Sequence, residues 1–383
     1  MSTSAHSADE ASAARALPDP EDGLRLIKGS VKSQAAYTLE APVAARKLNQ
    51  NENPLDLPAE LKAQILARAA RLAWNRYPEF VPVPLVEGIA RLWSWIPEGV
   101  LVGNGSNELI QATLTVSLDT GGVVVAPAPT FALYRLIAAT LGARYVPVPL
   151  GERFAYDIDA IISTARREDA GVVVLNSPNN PTGSALPAGA VERVLEETGA
   201  LVVCDEAYQE FGGPTAMELL RRSSRIVVLR TFSKAMGMAG LRFGYALAHP
   251  AVAREIAKAK LPYNVNAFTL AAATMVLEHP APFKERTRAI IAEREKTAER
   301  LRGLPGLTVF PSAANFILIR SERLPASVLF RRLHAEHGIL VRDVSSGAGL
   351  AECLRISIGT SEDMDAVIVA LRQILASVVE ASR

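Results

Sequence analysis

Four short runs of aliphatic and β-branched residues constrain this chain more than anything else in it. They are Val123–Ala126, Val172–Leu175, Leu201–Cys204 and Ile226–Leu229. Each is apolar at every position rather than at alternate ones. A strand with one wet face alternates, so a strand without alternation is covered on both faces. Helical segments separate most of the runs, over Phe131–Leu141, Ile158–Arg166, Ala188–Glu197 and Ala216–Arg222, and a less continuous strand is expected at Tyr145–Val148. This alternation predicts an α/β fold whose mostly parallel sheet lies between helices. In such sheets the ligand site lies just past the carboxyl ends of the strands.

The residues just past those ends carry chemistry. Beyond Ala126 the chain delivers Phe131. Beyond Leu175 comes Asn176-Ser177-Pro178-Asn179-Asn180-Pro181-Thr182-Gly183. Beyond Cys204 comes Asp205-Glu206-Ala207-Tyr208, and beyond Leu229 comes Arg230-Thr231-Phe232-Ser233-Lys234. An aromatic ring, an amide, a carboxylate with a phenol and an amine thus converge on one edge. A lysine placed past a buried strand is desolvated, which lowers its pKa and makes its free amine a nucleophile. Ser233 adds a hydroxyl, and Arg242 a planar fork suited to phosphate. Hydroxyl, lysine and arginine in this order suit a phosphate-bearing aldehyde held covalently, the chemistry of pyridoxal phosphate. The plainer alternative is a strand, a loop and two surface cations.

Upstream, Val100-Leu101-Val102-Gly103-Asn104-Gly105-Ser106-Asn107-Glu108 precedes a helix predicted from about Leu109 to Ser117. Strand, glycine turn and helix start make an anion site, because the first N–H groups of a helix lack intrahelical acceptors. The dinucleotide fingerprint wants a third glycine where Glu108 stands, and no GxxxxGK[ST] occurs, so a single phosphate is the better fit. Further helices are predicted at Glu60–Trp74 and Val86–Trp95. After Tyr245 helices at Thr269–Glu278, Phe283–Arg302, Ala326–His337 and Glu362–Val378 accompany short strands at Phe316–Ile319, Ile339–Arg342 and Leu354–Ile358. This is a second, smaller α+β unit. The expected division is a disordered tail over 1–30, a segment 31–75 joining the small domain, a large domain over 76–282 and the small domain over 283–383. The charges along Phe283–Arg302 are expected to form a solvated face and nothing more.

Composition narrows the partners. A net charge of +1 favours neither nucleic acid nor an anionic membrane, and no apolar run is long enough to span a bilayer. The two cysteines, Cys204 and Cys353, have no metal or redox spacing and read as buried free thiols of a reducing compartment. The first two dozen residues are rich in Ala and Ser and carry Asp9, Glu10, Asp19, Glu21 and Asp22, unlike a signal or transit peptide. A cytoplasmic location is expected.

Taken together, Asn51-Glu52-Asn53-Pro54, Arg76-Tyr77-Pro78, Gly103–Glu108, Asn179–Gly183, Asp205-Glu206-Ala207-Tyr208, Ser233-Lys234, Leu241–Tyr245, Ala314-Asn315-Phe316 and Leu354–Ser357 resemble the aspartate-aminotransferase fold family of pyridoxal-phosphate enzymes, class II. The resemblance runs from about Lys47 to the end. It implies fold type I, with a mostly parallel seven-stranded sheet in the large domain. It implies that Lys234 holds the cofactor and moves the proton, and that Asp205 keeps the ring nitrogen protonated. Tyr208 and Asn180 would take the phenolic oxygen and Phe131 would stack on the ring. Ser106, Asn107, Thr231, Ser233 and Arg242 would hold the phosphate. Tyr77 would reach that phosphate from a second copy, which implies a homodimer with shared active sites.

For substrate, the resemblance assigns Arg355 to an anionic group, Arg342 to a distal anion and Asn53 to a further contact. It is closest to the branch that exchanges an amino group between glutamate and histidinol phosphate. An aromatic amino-acid aminotransferase shares every motif quoted, and a decarboxylase of phosphorylated amino acids shares the fold. A cofactor-sensing regulator would need a DNA-binding module, for which the tail is too short and too polar. One departure stands out: Leu55 follows Asn53-Pro54, where many relatives place an aromatic residue.

Overall fold

The computed structural model of the chain describes residues 19–35 and 42–381. The first stretch belongs to one compact unit and the second to another. In the first, Glu21–Leu24 and Gly29–Lys32 are single helical turns that bury no residue. Of the tail expected over 1–30, residues 1–18 lie outside the described residues.

The second unit is built on a seven-stranded sheet. Its strands are β1 (Val100–Gly103), β2 (Val123–Ala128), β3 (Arg144–Pro149), β4 (Val172–Asn176), β5 (Leu201–Asp205), β6 (Ile226–Thr231) and β7 (Gly244–Ala248). Their spatial order is β1-β7-β6-β5-β4-β2-β3. The pairs β3–β2–β4–β5–β6 are parallel, and β7 runs antiparallel to both β6 and β1.

The unbroken apolar runs follow from what covers them. Val125, Val173, Leu175, Val202, Cys204, Ile226 and Val228 point into one core, shared with helices such as Val83–Leu92, Ile158–Arg167 and Ala190–Glu197. Their neighbours Val124, Val172, Val174, Val203, Val227 and Leu229 point into the other, with helices α1 (Ser106–Ser117) and α2 (Leu133–Leu141). With no polar face left, the period of two vanishes from the sequence.

A second sheet has four antiparallel strands: β8 (Leu307–Val309), β9 (Phe316–Ser321), β10 (Arg342–Asp343) and β11 (Cys353–Ser357), in the order β10-β11-β9-β8. Its core includes Phe316, Ile319, Leu329, Leu333, Leu354, Ile356 and Leu371. The expected strand Ile339–Arg342 divides at Val341. Ile339–Leu340 pairs in parallel with Arg46–Lys47, and Arg342 passes to β11.

Several local expectations change. Strand β7 and the helix Pro250–Ala259 are absent from the sequence reading. Gly-Tyr-Ala-Leu-Ala is too short and alanine-rich to signal a strand, yet all of it is buried, because it closes the sheet between β6 and β1. The segment predicted as helix at Ala216–Arg222 is a 3-10 turn, Met217–Arg221. The helix expected over Phe283–Arg302 runs from Ala281 as α3 (Ala281–Arg302), and its charges do more than face solvent. Arg294 is buried and donates to the carbonyls of Phe211, at 3.1 Å, and Ala314, at 2.9 Å. Sequence periodicity alone assigned every charge on this helix to water. A lone arginine that satisfies buried carbonyls has no periodic signature.

Candidate active site

Register brings the polar strand ends together. Asn176 stands beside Asp205 across β4–β5, and Asp205 beside Leu229 across β5–β6, so Thr231 and Lys234 lie just past the same edge. Parallel neighbours keep their carboxyl ends aligned, which is why side chains distant in sequence meet here.

Lys234 follows β6. Its Nζ donates to the Gln50 carbonyl at 2.9 Å and lies 5.7 Å from the centre of the Tyr208 ring. Burial chiefly, then the charges of Arg355 and Arg242, pull its pKa down to about 7, against the opposing pull of Glu52. At neutral pH much of this lysine is therefore a free amine, the nucleophilic and proton-accepting form.

Asp205 closes β5 and is buried. One carboxylate oxygen accepts from the Tyr134 hydroxyl at 2.6 Å, the other from the Ala207 N–H at 3.1 Å. Burial pushes its pKa up, and those two hydrogen bonds push the other way. A carboxylate held here can pair with a protonated ring nitrogen. Tyr134 escaped the sequence reading. It lies three residues after Phe131 inside a helical pattern, where a buried tyrosine looks like packing. Its signal was the single hydroxyl on an otherwise apolar helix face.

The anion end is also assembled. Arg242 has a left-handed backbone, φ 55, and its Nη1 donates to the Ser233 hydroxyl at 3.2 Å. Its fork lies against Gly105, where a Cβ would sit 2.5 Å from Nη2. A Cβ on Gly244 would strike the Ser106 N–H. Glycine at both places lets the arginine and the first turn of α1 close on one point, with Ser106 buried and Asn107 exposed there. Thr231 supports this corner from behind, its hydroxyl donating to Ser233 Oγ at 3.0 Å or to the Phe243 carbonyl at 3.2 Å. Amine, carboxylate and a phosphate-shaped cradle of helix N-terminus, hydroxyl and guanidinium fit pyridoxal phosphate.

The remaining expected residues divide. Arg355 on β11 donates to Asn180 Oδ1, and to the Asn49 carbonyl at 2.7 Å. Arg342 sits directly opposite it on β10. Asn180 therefore meets Arg355, and the Tyr208 hydroxyl accepts from Asn51 Nδ2 at 3.0 Å. Asn51 was quoted only as part of a motif. It is buried and left-handed, φ 54. Asn53 ties the loop, donating to the Ala235 carbonyl at 3.0 Å. Phe131 packs edge-on against Tyr134, 5.8 Å between centres. Tyr77 is not brought to this site by its own chain: it is 81% exposed and stacks on Tyr263 at 4.5 Å. Leu55 lines a cavity of about 460 Å³ with Lys47, Glu52, Asn53 and Gly237.

A half-buried, desolvated lysine and a buried aspartate at adjoining strand ends of a doubly covered sheet, with a phosphate cradle beside them, define a pyridoxal-phosphate-dependent enzyme of fold type I. The chain belongs to the aminotransferase class I and II family, whose model matches residues 46–371. It is 39% identical over 351 residues to a histidinol-phosphate aminotransferase of Chlorobaculum tepidum, covering 91% of this chain and 100% of that protein. Its fold matches the crystal structure of histidinol-phosphate aminotransferase from Sinorhizobium meliloti in complex with pyridoxal-5'-phosphate, with TM-score 0.83, 26% identity and coverage of 92% and 98%. The enzyme of the same name from Clostridium acetobutylicum matches with TM-score 0.80 and 26% identity over 87% of this chain and 99% of that one. Among the described residues no cluster of His, Cys, Asp or Glu is arranged to hold a metal, and no helix is long and apolar enough to cross a membrane.

Proposed function

We propose that this aminotransferase exchanges an amino group between histidinol phosphate and 2-oxoglutarate, giving imidazole-acetol phosphate and glutamate, a step of histidine synthesis. The observation that carries the substrate is the pair Arg342 and Arg355. Directly opposed residues of antiparallel strands project from the same face, so Arg342 shares a face of the small sheet with Arg355, whose charge acts on the Lys234 amine. A bidentate fork accepts phosphate or carboxylate, so one pocket can take the phosphate of histidinol phosphate and a carboxylate of glutamate.

Lys234 would anchor the cofactor, Asp205 would face its ring nitrogen, and Tyr208 and Asn180 its phenolic oxygen. Phe131 would cover one face, and Ser106, Asn107, Thr231, Ser233 and Arg242 would take the phosphate. When bound, the group supplies an electron sink for charge developing on the substrate carbon. The protein does the rest. Asp205 holds the balancing negative charge. The Lys234 amine, released by burial from its usual protonation, takes a proton from the substrate carbon and returns one during the half-reaction. Arg355 fixes one anionic substrate group, Arg342 serves the distal anion, and Asn53 keeps the Lys234 loop beside the substrate.

The working unit is a homodimer in which Tyr77 of a second copy completes the phosphate site. Tyr77, Phe80, Val81, Leu261 and Tyr263 form an exposed apolar cluster, the kind of surface that a second copy covers. Residues 76–282 would form the cofactor-binding domain and 283–383 the smaller one, with each of the two larger sheets on one side of that boundary. Of the segment expected to join the smaller domain, Arg46–Lys47 does pair with Ile339–Leu340, whereas Leu61 and Ile65 of the helix Ala59–Ala69 pack into the core of the large domain. Two buried free thiols suit the cytoplasm.

The deciding assay offers histidinol phosphate and phenylalanine side by side, with 2-oxoglutarate. Histidinol phosphate should lead in kcat/KM by about tenfold or more, the gap that one extra charged contact produces. Equal or reversed preference gives the aromatic amino-acid reading. Carbon dioxide release without 2-oxoglutarate overturns transamination.

A further inference from the structure

Asp205 is held by hydrogen bonds of different kinds, among them the Ser177 N–H to its backbone carbonyl at 3.0 Å. The same carbonyl accepts from Asn176 Nδ2 at 3.1 Å, which fixes the strand end. One carboxylate oxygen takes the Ala207 N–H, which fixes the turn. The other takes the hydroxyl of Tyr134 at 2.6 Å, the one side chain donating to this carboxylate among the described residues. Tyr134 is fully buried in the first turn of α2, with the Phe131 ring against its edge.

A carboxylate taken out of water tends to neutralise itself, and a neutral acid cannot balance a pyridinium charge. Burial and the nearby Glu206 act on Asp205 in that direction. A phenol can oppose them without adding charge, because burial and the Asp205 charge keep Tyr134 itself protonated, hence a donor. An O–H donated to an oxyanion is among the stronger hydrogen bonds available.

We propose that Tyr134 is a positioning residue for Asp205: its hydroxyl holds one carboxylate oxygen so that the group stays charged and oriented for a protonated ring nitrogen, and it thereby sets the affinity for the cofactor. This rests on the pyridoxal-phosphate reading above. Tyr134 itself touches neither cofactor nor substrate.

The test is Tyr134→Phe, which keeps the ring and removes one oxygen. Apo-protein is titrated with pyridoxal phosphate and with its 1-deaza analogue, whose ring nitrogen is replaced by C–H, between pH 6 and 9. The Kd for pyridoxal phosphate should rise about tenfold or more, as for loss of a hydrogen bond to a charged group. The Kd for the deaza analogue should change less than about twofold, since that ring draws nothing from the Asp205 charge. The acid limb of pyridoxal phosphate affinity should also move up by about one pH unit, because Asp205 without its phenol protonates more readily. In an Asp205→Asn background the same substitution should add less than about twofold, as no carboxylate remains to be kept charged. Equal weakening of both ligands, an unmoved acid limb, or an undiminished effect in the Asp205→Asn background would make Tyr134 packing alone and overturn the proposal. Wild-type protein that binds neither ligand would instead sink the cofactor reading on which it rests.

Discussion

Along the edge of the seven-stranded sheet, Asp205 and Thr231 belong to adjacent strands whose backbone ladders fix them, and Lys234 follows three residues later. The segment from Lys47 to Leu55 reaches the same pocket with little regular structure and is held largely by side chains. Arg355 grips the Asn49 carbonyl, Lys234 that of Gln50, and Asn315 that of Asn51, at 2.7, 2.9 and 3.0 Å. The Asn51 N–H donates to the Ser357 hydroxyl at 2.8 Å, and the Asn51 amide reaches Tyr208. A ladder spreads its load over many backbone bonds, so one altered side chain at a strand end changes chemistry more than architecture. A strap built of side-chain bonds has no such redundancy.

The largest expected effect lies on the ladder side. Lys234→Ala should cut turnover by about 10²–10⁴-fold or more, the worth of a positioned acid–base group, while the fold survives. Residual non-covalent cofactor binding is compatible with this; wild-type turnover is not. The same variant carries a pH signature in apo-protein. The unfolded chain binds the lysine proton near its usual pKa of 10.5 and the folded chain only near about 7, so this group lowers stability as pH falls from about 10 to about 7. Lys234→Ala should lack that slope, measured by urea unfolding at several pH values.

Arg355→Ala comes next and touches both regions, since its guanidinium joins Asn180 to the strap. KM for glutamate and for histidinol phosphate should both rise about tenfold or more, with some loss of stability, as when one partner of a buried polar contact is removed. Unchanged KM and kcat for both substrates would remove its role. The smallest effect is expected of Asn51→Ala. Loss of its buried amide should cost about 1–3 kcal/mol of unfolding free energy and lower kcat through a misplaced Tyr208. If stability and kcat both hold, the strap is no more fragile than the sheet edge and the contrast fails.

Much of the sheet edge was legible before folding. Asp205, Tyr208, Asn180 and Lys234 each come within a few residues of an unbroken apolar run, and the parallel rule sends all such ends one way. Tyr134 and Arg294 were not legible, because a polar atom at the tip of a buried side chain leaves the hydrophobic period intact. Strand β7 was missed because alanine and glycine carry too little apolar surface to mark a strand.

The sequence by itself determined which residues stand at the strand ends, since burial on both faces is written locally in consecutive apolar positions. The tertiary structure alone decided the partners: Asn51 with Ser357, Arg355 with Asn180, Tyr134 with Asp205. The physical reason is range. Burial is a property of each residue, whereas a hydrogen bond is directional and ends within about 3 Å, so chain segments up to 306 residues apart must first be docked before it exists.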